Sequence, residues 1–164
     1  MSDELEVRRA RPEDLDVVVA ILTEAARWLL ERGIRQWPDP FPADRVEVLL
    51  RRGEFYVARL EGEVVATFAL LWRDPAFWGE RPPDAAYVHA LAVRRAYSGR
   101  GLGRRLVEWA AEQAAAAGRQ YLRLDCLSDN GALRAYYEGL GFVPQGEVEI
   151  DDFRATLFER RARA

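Results

Sequence analysis

The spacing of apolar positions changes period several times along the chain, and each change marks an element. From Pro12 to Gly33, Leu15, Val18, Val19, Leu22, Ala26 and Leu29 recur at helical spacing, after a proline and acidic start and before a glycine stop. Residues 42–53, PADRVEVLLRRG, predict a second, shorter helix stopped by Gly53. Between them IRQWPDPFP is a proline-punctuated loop carrying Trp37 and Phe41, of the kind that often lines a site. LEVRRA predicts a first strand, and EFYVARL and VVATFALLW, joined by EGE, predict a hairpin. RDPAFWGERPPD then reads as a long aromatic loop before the strand AAYVHALAV. A helix over 102–118, the strand YLRLDCL and a helix over 130–141 follow. FVPQGEVEI and FRATLFERR close the chain as a hairpin around Asp151 and Asp152. The order is an antiparallel half, one strand–helix–strand crossover and a final hairpin, which predicts an α/β fold of the α+β type.

Composition narrows this picture. At 164 residues and 49% hydrophobic, the chain fits one domain over residues 1–164 that can bury a core without disulfides or a structural metal. One cysteine and one histidine cannot supply a four-ligand zinc site, so no metal is expected. The chain has no lysine, which excludes a Schiff-base lysine and a Walker-type phosphate loop. A net charge of -3 disfavours a broad nucleic-acid surface. The first residues are acidic and polar rather than signal-like, and no later run is apolar for long enough to span a bilayer, so a cytoplasmic protein without membrane contact is expected.

Against that balance, Arg94, Arg95, Arg100, Arg104 and Arg105 cluster around Gly99, Gly101 and Gly103, between a strand and a helix. A helix N-terminus offers unpaired amides and the positive end of a dipole, and glycines let a polyanion reach the main chain. The competing reading is a tight strand-to-helix bend. A dinucleotide site requires GxGxxG near the start of a parallel sheet, and here GxGxG follows antiparallel strands, although Asp125 stands where a ribose-binding acid could. An NAD-binding protein therefore stays as a minor alternative.

LAVRRAYSGRGLGRRLVEWA resembles the acyl-CoA-binding segment of the GNAT superfamily of N-acetyltransferases. Gly101 and Gly103 match the paired glycine positions, while Ser98 stands where that pattern has arginine or glutamine. NGALRAYYEGLGF is similar to the second family signature through Asn130, Tyr137, Gly141 and Phe142. The resemblance implies a mixed, mostly antiparallel sheet of six or seven strands flanked by helices on both faces. It also implies acetyl-CoA as co-substrate. Its pyrophosphate would lie on the amides of Gly99, Arg100, Gly101, Leu102, Gly103 and Arg104, and its pantetheine arm beside Leu91, Ala92 and Val93. Arg94, Arg95, Arg100 or Arg104 would face the outer phosphates.

Acetyl transfer to nitrogen needs a neutral amine, and an alkylamine with a pKa of about 10.4 is protonated at neutral pH, so a base or a proton-removing water chain helps greatly. His89 is the candidate on the strand before the turn. VHALAV is similar to the matching strand of arylalkylamine N-acetyltransferases, which carry two histidines; His89 matches the second and Tyr87 replaces the first. Tyr137 matches the family tyrosine beside the CoA sulfur, and a hydrogen bond to the departing thiolate is the role expected of it. Tyr136 is assigned to packing. Asn130 is either a helix cap or a cofactor contact. Asp125 could hold a substrate ammonium or orient His89, and Cys126 is expected to be buried and inert. Trp37 and Trp72, among several tryptophans near the predicted site, could wall an acceptor pocket. The implied enzyme is a bacterial-type N-acetyltransferase acting on a primary amine of a small molecule in a ternary complex. A peptide N-terminal or lysine acetyltransferase and a non-catalytic acyl-CoA-binding module remain alternatives, and a homodimer is left open.

Overall fold

The computed structural model describes residues 4–163; the expected domain limits, 1 and 164, lie outside the described residues. In chain order the elements are β1 (Glu6–Arg9), α1 (Leu15–Leu30), α2 (Ala43–Arg51), β2 (Phe55–Leu60), β3 (Glu63–Leu71), α3 (Pro75–Trp78), β4 (Ala85–Val93), α4 (Leu102–Ala116), β5 (Tyr121–Leu127), α5 (Gly131–Gly139), β6 (Val143–Ile150) and β7 (Phe153–Arg161). Single 3-10 turns occupy Pro12–Asp14 and Arg95–Tyr97. The sheet has seven strands in the order β1-β2-β3-β4-β5-β7-β6. β4 and β5 run parallel, as a crossover through α4 requires, and the pairs β1/β2, β2/β3, β5/β7 and β6/β7 are antiparallel. Among the described residues no helix is long and apolar enough to cross a membrane.

The fold divides into two compact units. The first runs to Leu70 and takes in Ala90–Gly103. Its hairpin turns on Glu61 (φ 52°) and Gly62 (φ 82°), two successive left-handed residues whose twist matches that of the strands they join. α1 buries Val18, Ile21, Leu22 and Ala26, so Ile21 joins the apolar face in place of Leu15, Val19 and Leu29, which are only half-buried. The helix begins three residues later than its proline start suggests. Asp14 explains the delay: its carboxylate accepts from the Arg11 amide at 2.7 Å and pairs with Arg8 at 2.7 Å, closing a 3-10 turn first.

The second unit comprises Leu71–His89 and the chain from Arg104 onward. The long aromatic segment before β4 contains a helical turn, α3, because Pro75 fits the first helical position and Gly79 (φ 68°) ends it. Trp78, Ala85, Tyr87 and Leu157 form a core cluster with Leu71, Phe77, Tyr121 and Val148 against it. Arg123, with only 4% of its side chain exposed, anchors this segment. It donates to Glu159 at 2.8 Å, to the Tyr87 hydroxyl at 2.9 Å and to Asp84 at 3.4 Å, and its guanidinium lies 5.0 Å from the Trp78 ring centre. A buried cation is tolerated only when its donors are met, and here carboxylates from two sides meet them.

Candidate active site

His89 sits on β4 within the second unit, mostly buried, between two carboxylates. Its Nε2 is 2.7 Å from Asp74 Oδ2 and its Nδ1 is 3.8 Å from Asp125 Oδ1. Asp74 precedes Pro75 at the N-cap of α3, yet its side chain makes no cap bond and reaches the imidazole instead. Phe77, on the same helical turn, stands with its ring centre 5.7 Å from that of His89 and 6.4 Å from that of Phe153. Burial pulls the His89 pKa down, but the Asp74 hydrogen bond and the charges of Asp125 and Asp74 outweigh it, leaving the group above its ordinary value. Burial pushes the Asp125 carboxyl up to about 6, against the pull of His89 and with a further rise from Asp74. Asp125 Oδ1 is buried without a hydrogen-bond partner among the described residues.

Tyr137 lies on α5, which Asn130 caps by accepting from the Leu133 amide at 3.1 Å. The Tyr137 ring is buried against Phe142 and Phe158, at 5.8 and 6.2 Å between centres. Burial, with smaller pushes from Cys126, Tyr136 and Asp125, raises its pKa, so the phenol keeps its proton at neutral pH. Tyr136 is 41% exposed and lies against Tyr137 at 5.5 Å, so it covers its neighbour rather than filling the core. Cys126 is buried and its thiol is pushed up to about 12, first by burial and then by Asp125, which leaves no thiolate for covalent chemistry.

Within β4, Ala90 has left-handed backbone (φ 52°), and after Val93 ends the strand the chain passes through the Arg95–Tyr97 turn to the glycines. Gly99 (φ 80°) and Gly101 (φ 73°) both need that conformation, and a Cβ on either would meet nothing within 4 Å. The turn leads directly into the N-terminus of α4 at Leu102, where the first amides of a helix have no intrahelical acceptor. Ser98 closes the preceding turn on itself, its hydroxyl donating to the Arg95 carbonyl at 2.9 Å. Arg94 donates from Nε to the Val64 carbonyl at 2.8 Å, so part of that guanidinium holds the β3 edge. Arg95 lies over Trp28 at 3.9 Å and Arg100 over Tyr97 at 4.9 Å.

Residues 20–142 match the model of the acetyltransferase (GNAT) family. The chain belongs to that family. YesJ of Bacillus subtilis (strain 168), an uncharacterized N-acetyltransferase, is 30% identical over 161 residues, which is 93% of this chain and 87% of YesJ. Among solved structures, a GNAT-family acetyltransferase from Listeria monocytogenes superposes with a TM-score of 0.79 at 27% identity, over 96% of this chain and 94% of that one. Salmonella typhimurium yncA, whose structure holds its cofactor acetyl-CoA, superposes at 0.71 with 20% identity, over 98% and 95% of the two chains. That last likeness is one of fold.

Within this GNAT chain, the second unit brings His89, Asp125, Cys126 and Tyr137 into one cluster, since Asp125 acts electrostatically on the other three. Trp72 lies under the Arg119 guanidinium at 5.3 Å and lines a cavity of about 180 Å³ with Asp74 and Tyr87. Trp37, in the first unit, packs edge-on against Phe41 at 6.0 Å. Tyr87, which replaces the first histidine of the related strands, accepts from Arg123 through its hydroxyl. Asp74 and Phe77 were not foreseen. Asp74 lies 15 positions before His89 in a segment whose pattern predicts only a loop, and its one local signal, Asp before Pro, predicts a cap. Asp74, His89 and Asp125 each offer one ligand atom, all within 4.8 Å of one another, so one nitrogen and two oxygens could also meet a cation there.

Proposed function

We propose that this chain is an acetyl-CoA-dependent N-acetyltransferase that acetylates a primary amine of a small molecule by direct attack in a ternary complex. The observation that carries the reading is His89 lodged between Asp74 and Asp125 in a chain of the GNAT family. The residues fit the co-substrate: Gly99 and Gly101 leave open the space a phosphate would fill, before the amides of α4. The amides of Gly99 to Arg104 hold the pyrophosphate, Arg100 and Arg104 face the outer phosphates, and Leu91, Ala92 and Val93 present main chain to the pantetheine arm. Asn130 adds a contact from the α5 N-terminus, and Trp37 and Trp72 serve the acceptor. Acetyl-CoA supplies the acetyl group already activated as a thioester.

His89 takes the proton that the amine gives up on attack. Its raised pKa suits an amine that arrives largely protonated, and the two carboxylates favour a cationic acceptor. Tyr137, held protonated by burial, donates a hydrogen bond to the leaving sulfur. Cys126, kept as a thiol, does not carry the acetyl group, which argues for direct transfer.

Thermal unfolding with and without acetyl-CoA, CoA or NAD tests the reading. At one hundred times Kd a ligand adds about 2.7 kcal/mol, or a Tm rise of roughly 5 to 10 °C for a chain of this size. Acetyl-CoA and CoA should each produce the shift and NAD should not. Thiol release with a panel of small amines and peptides then fixes the acceptor class. A shift with NAD alone, or turnover of peptides only, would overturn the assignment.

A further inference from the structure

We infer that Glu24 and Trp28 on α1 are positioning residues for acetyl-CoA: together they clamp Arg95, which holds the turn ahead of the glycines in the shape that receives the pyrophosphate. They act on the turn and do not contact the cofactor. This rests on the co-substrate reading above.

Four-residue spacing puts Glu24, Trp28 and Arg32 on one stripe along α1 and just past its end. Glu24 Oε1 accepts from the Arg95 amide at 2.9 Å, across 71 positions of chain. One helical turn further on, the Arg95 guanidinium lies 3.9 Å from the centre of the Trp28 ring. The Arg32 guanidinium lies 3.8 Å from the same centre, and its Nη1 donates to the Trp28 carbonyl at 3.0 Å. Two cations so close to one ring centre take opposite faces, since they would collide on one. Arg95 is thus held twice, its backbone by a carboxylate and its side chain by the indole.

The β3 hairpin fixes the turn from the other side. The Arg94 amide donates to the Val65 carbonyl at 2.8 Å, Arg94 Nε donates to the Val64 carbonyl at 2.8 Å, and the Tyr97 hydroxyl donates to Glu63 Oε2 at 3.2 Å. Within the turn the Arg95 carbonyl accepts from the Ser98 amide at 3.1 Å and from the Ser98 hydroxyl at 2.9 Å. Arg95 therefore joins α1 through its amide and side chain, and joins Ser98, the residue before Gly99, through its carbonyl.

Ser98, Gly99, Arg100 and Gly101 are all exposed, so packing does little to select one backbone shape among the many open to glycine. A ligand's apparent affinity scales with the fraction of molecules already in the receptive shape, and a tether at Arg95 raises that fraction. The same stacking withdraws the Arg95 guanidinium from the phosphates, which leaves that contact to Arg100 and Arg104. Charge alone predicts the opposite role for Glu24: a carboxylate near a polyanion site weakens binding, and its removal strengthens it. The clamp and the charge effect differ in sign.

Calorimetric titration with acetyl-CoA and CoA, steady-state kinetics and amide hydrogen exchange test the clamp. Glu24 and Arg95 are exposed, so Glu24→Ala and Arg95→Ala should fold with a Tm close to that of wild type. Each should raise the Kd for acetyl-CoA by about 3- to 10-fold. In Glu24→Ala the KM for acetyl-CoA should rise by the same factor with kcat little changed. Glu24→Gln, which keeps a carbonyl acceptor, and Trp28→Phe, which keeps an aromatic face, should fall between wild type and the alanine variants. Trp28→Ala combined with Arg95→Ala should bind no more weakly than the worse single variant, because both remove one contact. In the free protein the Arg95 amide should exchange slowly in wild type and faster in Glu24→Ala. Acetyl-CoA binding as tight as wild type or tighter in Glu24→Ala, additive losses in the double variant, or an Arg95 amide indifferent to Glu24 would each overturn the clamp alone. A wild type that binds neither acetyl-CoA nor CoA would overturn the co-substrate reading, and this role with it.

Discussion

Replacing Asp125 with asparagine removes one charge from a side chain only 8% exposed and keeps its shape. Burial has raised that carboxyl from 3.8 to about 6, so the folded state holds a proton that the unfolded state has already lost. For such a group the sign is the reverse of an ordinary salt-bridged carboxylate: its contribution falls as pH rises from about 4 to about 6 and stays low above that. The size of the penalty follows from the shift. Roughly two pKa units at about 1.4 kcal/mol each give about 3 kcal/mol at pH 7.5, but only about 1 kcal/mol at pH 4.5, where the folded carboxyl is already neutral. Asp125→Asn should therefore be more stable than wild type at pH 7.5 by up to about 3 kcal/mol, a Tm gain of roughly 6 to 12 °C, and the advantage should shrink by about 2 kcal/mol at pH 4.5. Any fixed cost of the buried amide cancels in the difference between the two pH values. Urea unfolding of both proteins at both pH values measures it. An advantage that is the same at pH 4.5 and 7.5 would show that Asp125 is not held in a desolvated, unpaired state, and would remove the strain that the candidate site assigns to it.

Other perturbations address the remaining parts. Tyr137→Phe should lower the thiol-release rate by about 100-fold with acetyl-CoA affinity little changed; equal rates would remove the phenol from the mechanism. The acid limb of kcat/KM should lie above the ordinary histidine value of about 6.5, because the base must lose a proton that Asp74 and Asp125 help retain, and His89→Gln should abolish that limb. A limb below that value would contradict the carboxylate pairing. Gly101→Ala places a Cβ on a residue with φ 73°, which should cost about 1 to 2 kcal/mol of stability and weaken acetyl-CoA binding measured by calorimetry; unchanged affinity would mean the turn is only a bend. Arg123→Met leaves Glu159 and Asp84 without their shared cation and should cost about 3 to 5 kcal/mol in denaturant unfolding. A loss under about 1 kcal/mol would show that the anchor is dispensable.

The sequence by itself determined most of the frame. Period-two runs and glycine stops place β4 at Ala85–Val93 and β5 at Tyr121–Leu127, because a strand or helix is a local solution to a local pattern. The glycine turn was equally legible, since only glycine makes the left-handed backbone of residues 99 and 101 inexpensive. Where the local pattern was ambiguous the prediction slipped: α3 is a single turn, too short for periodicity to register, and the Asp14 carboxylate converts the first turn before α1 from α to 3-10. Tertiary structure alone decided the chemistry around His89. Its partners come from positions 74 and 125, on either side of it in the chain, and nothing in either spacing marks them as neighbours. Their juxtaposition depends on the parallel pairing of β4 with β5 and on Arg123 fixing the segment that carries Asp74. Burial then does what no local pattern records: it raises one carboxyl and one phenol away from their ordinary values and leaves an acceptor oxygen without a donor.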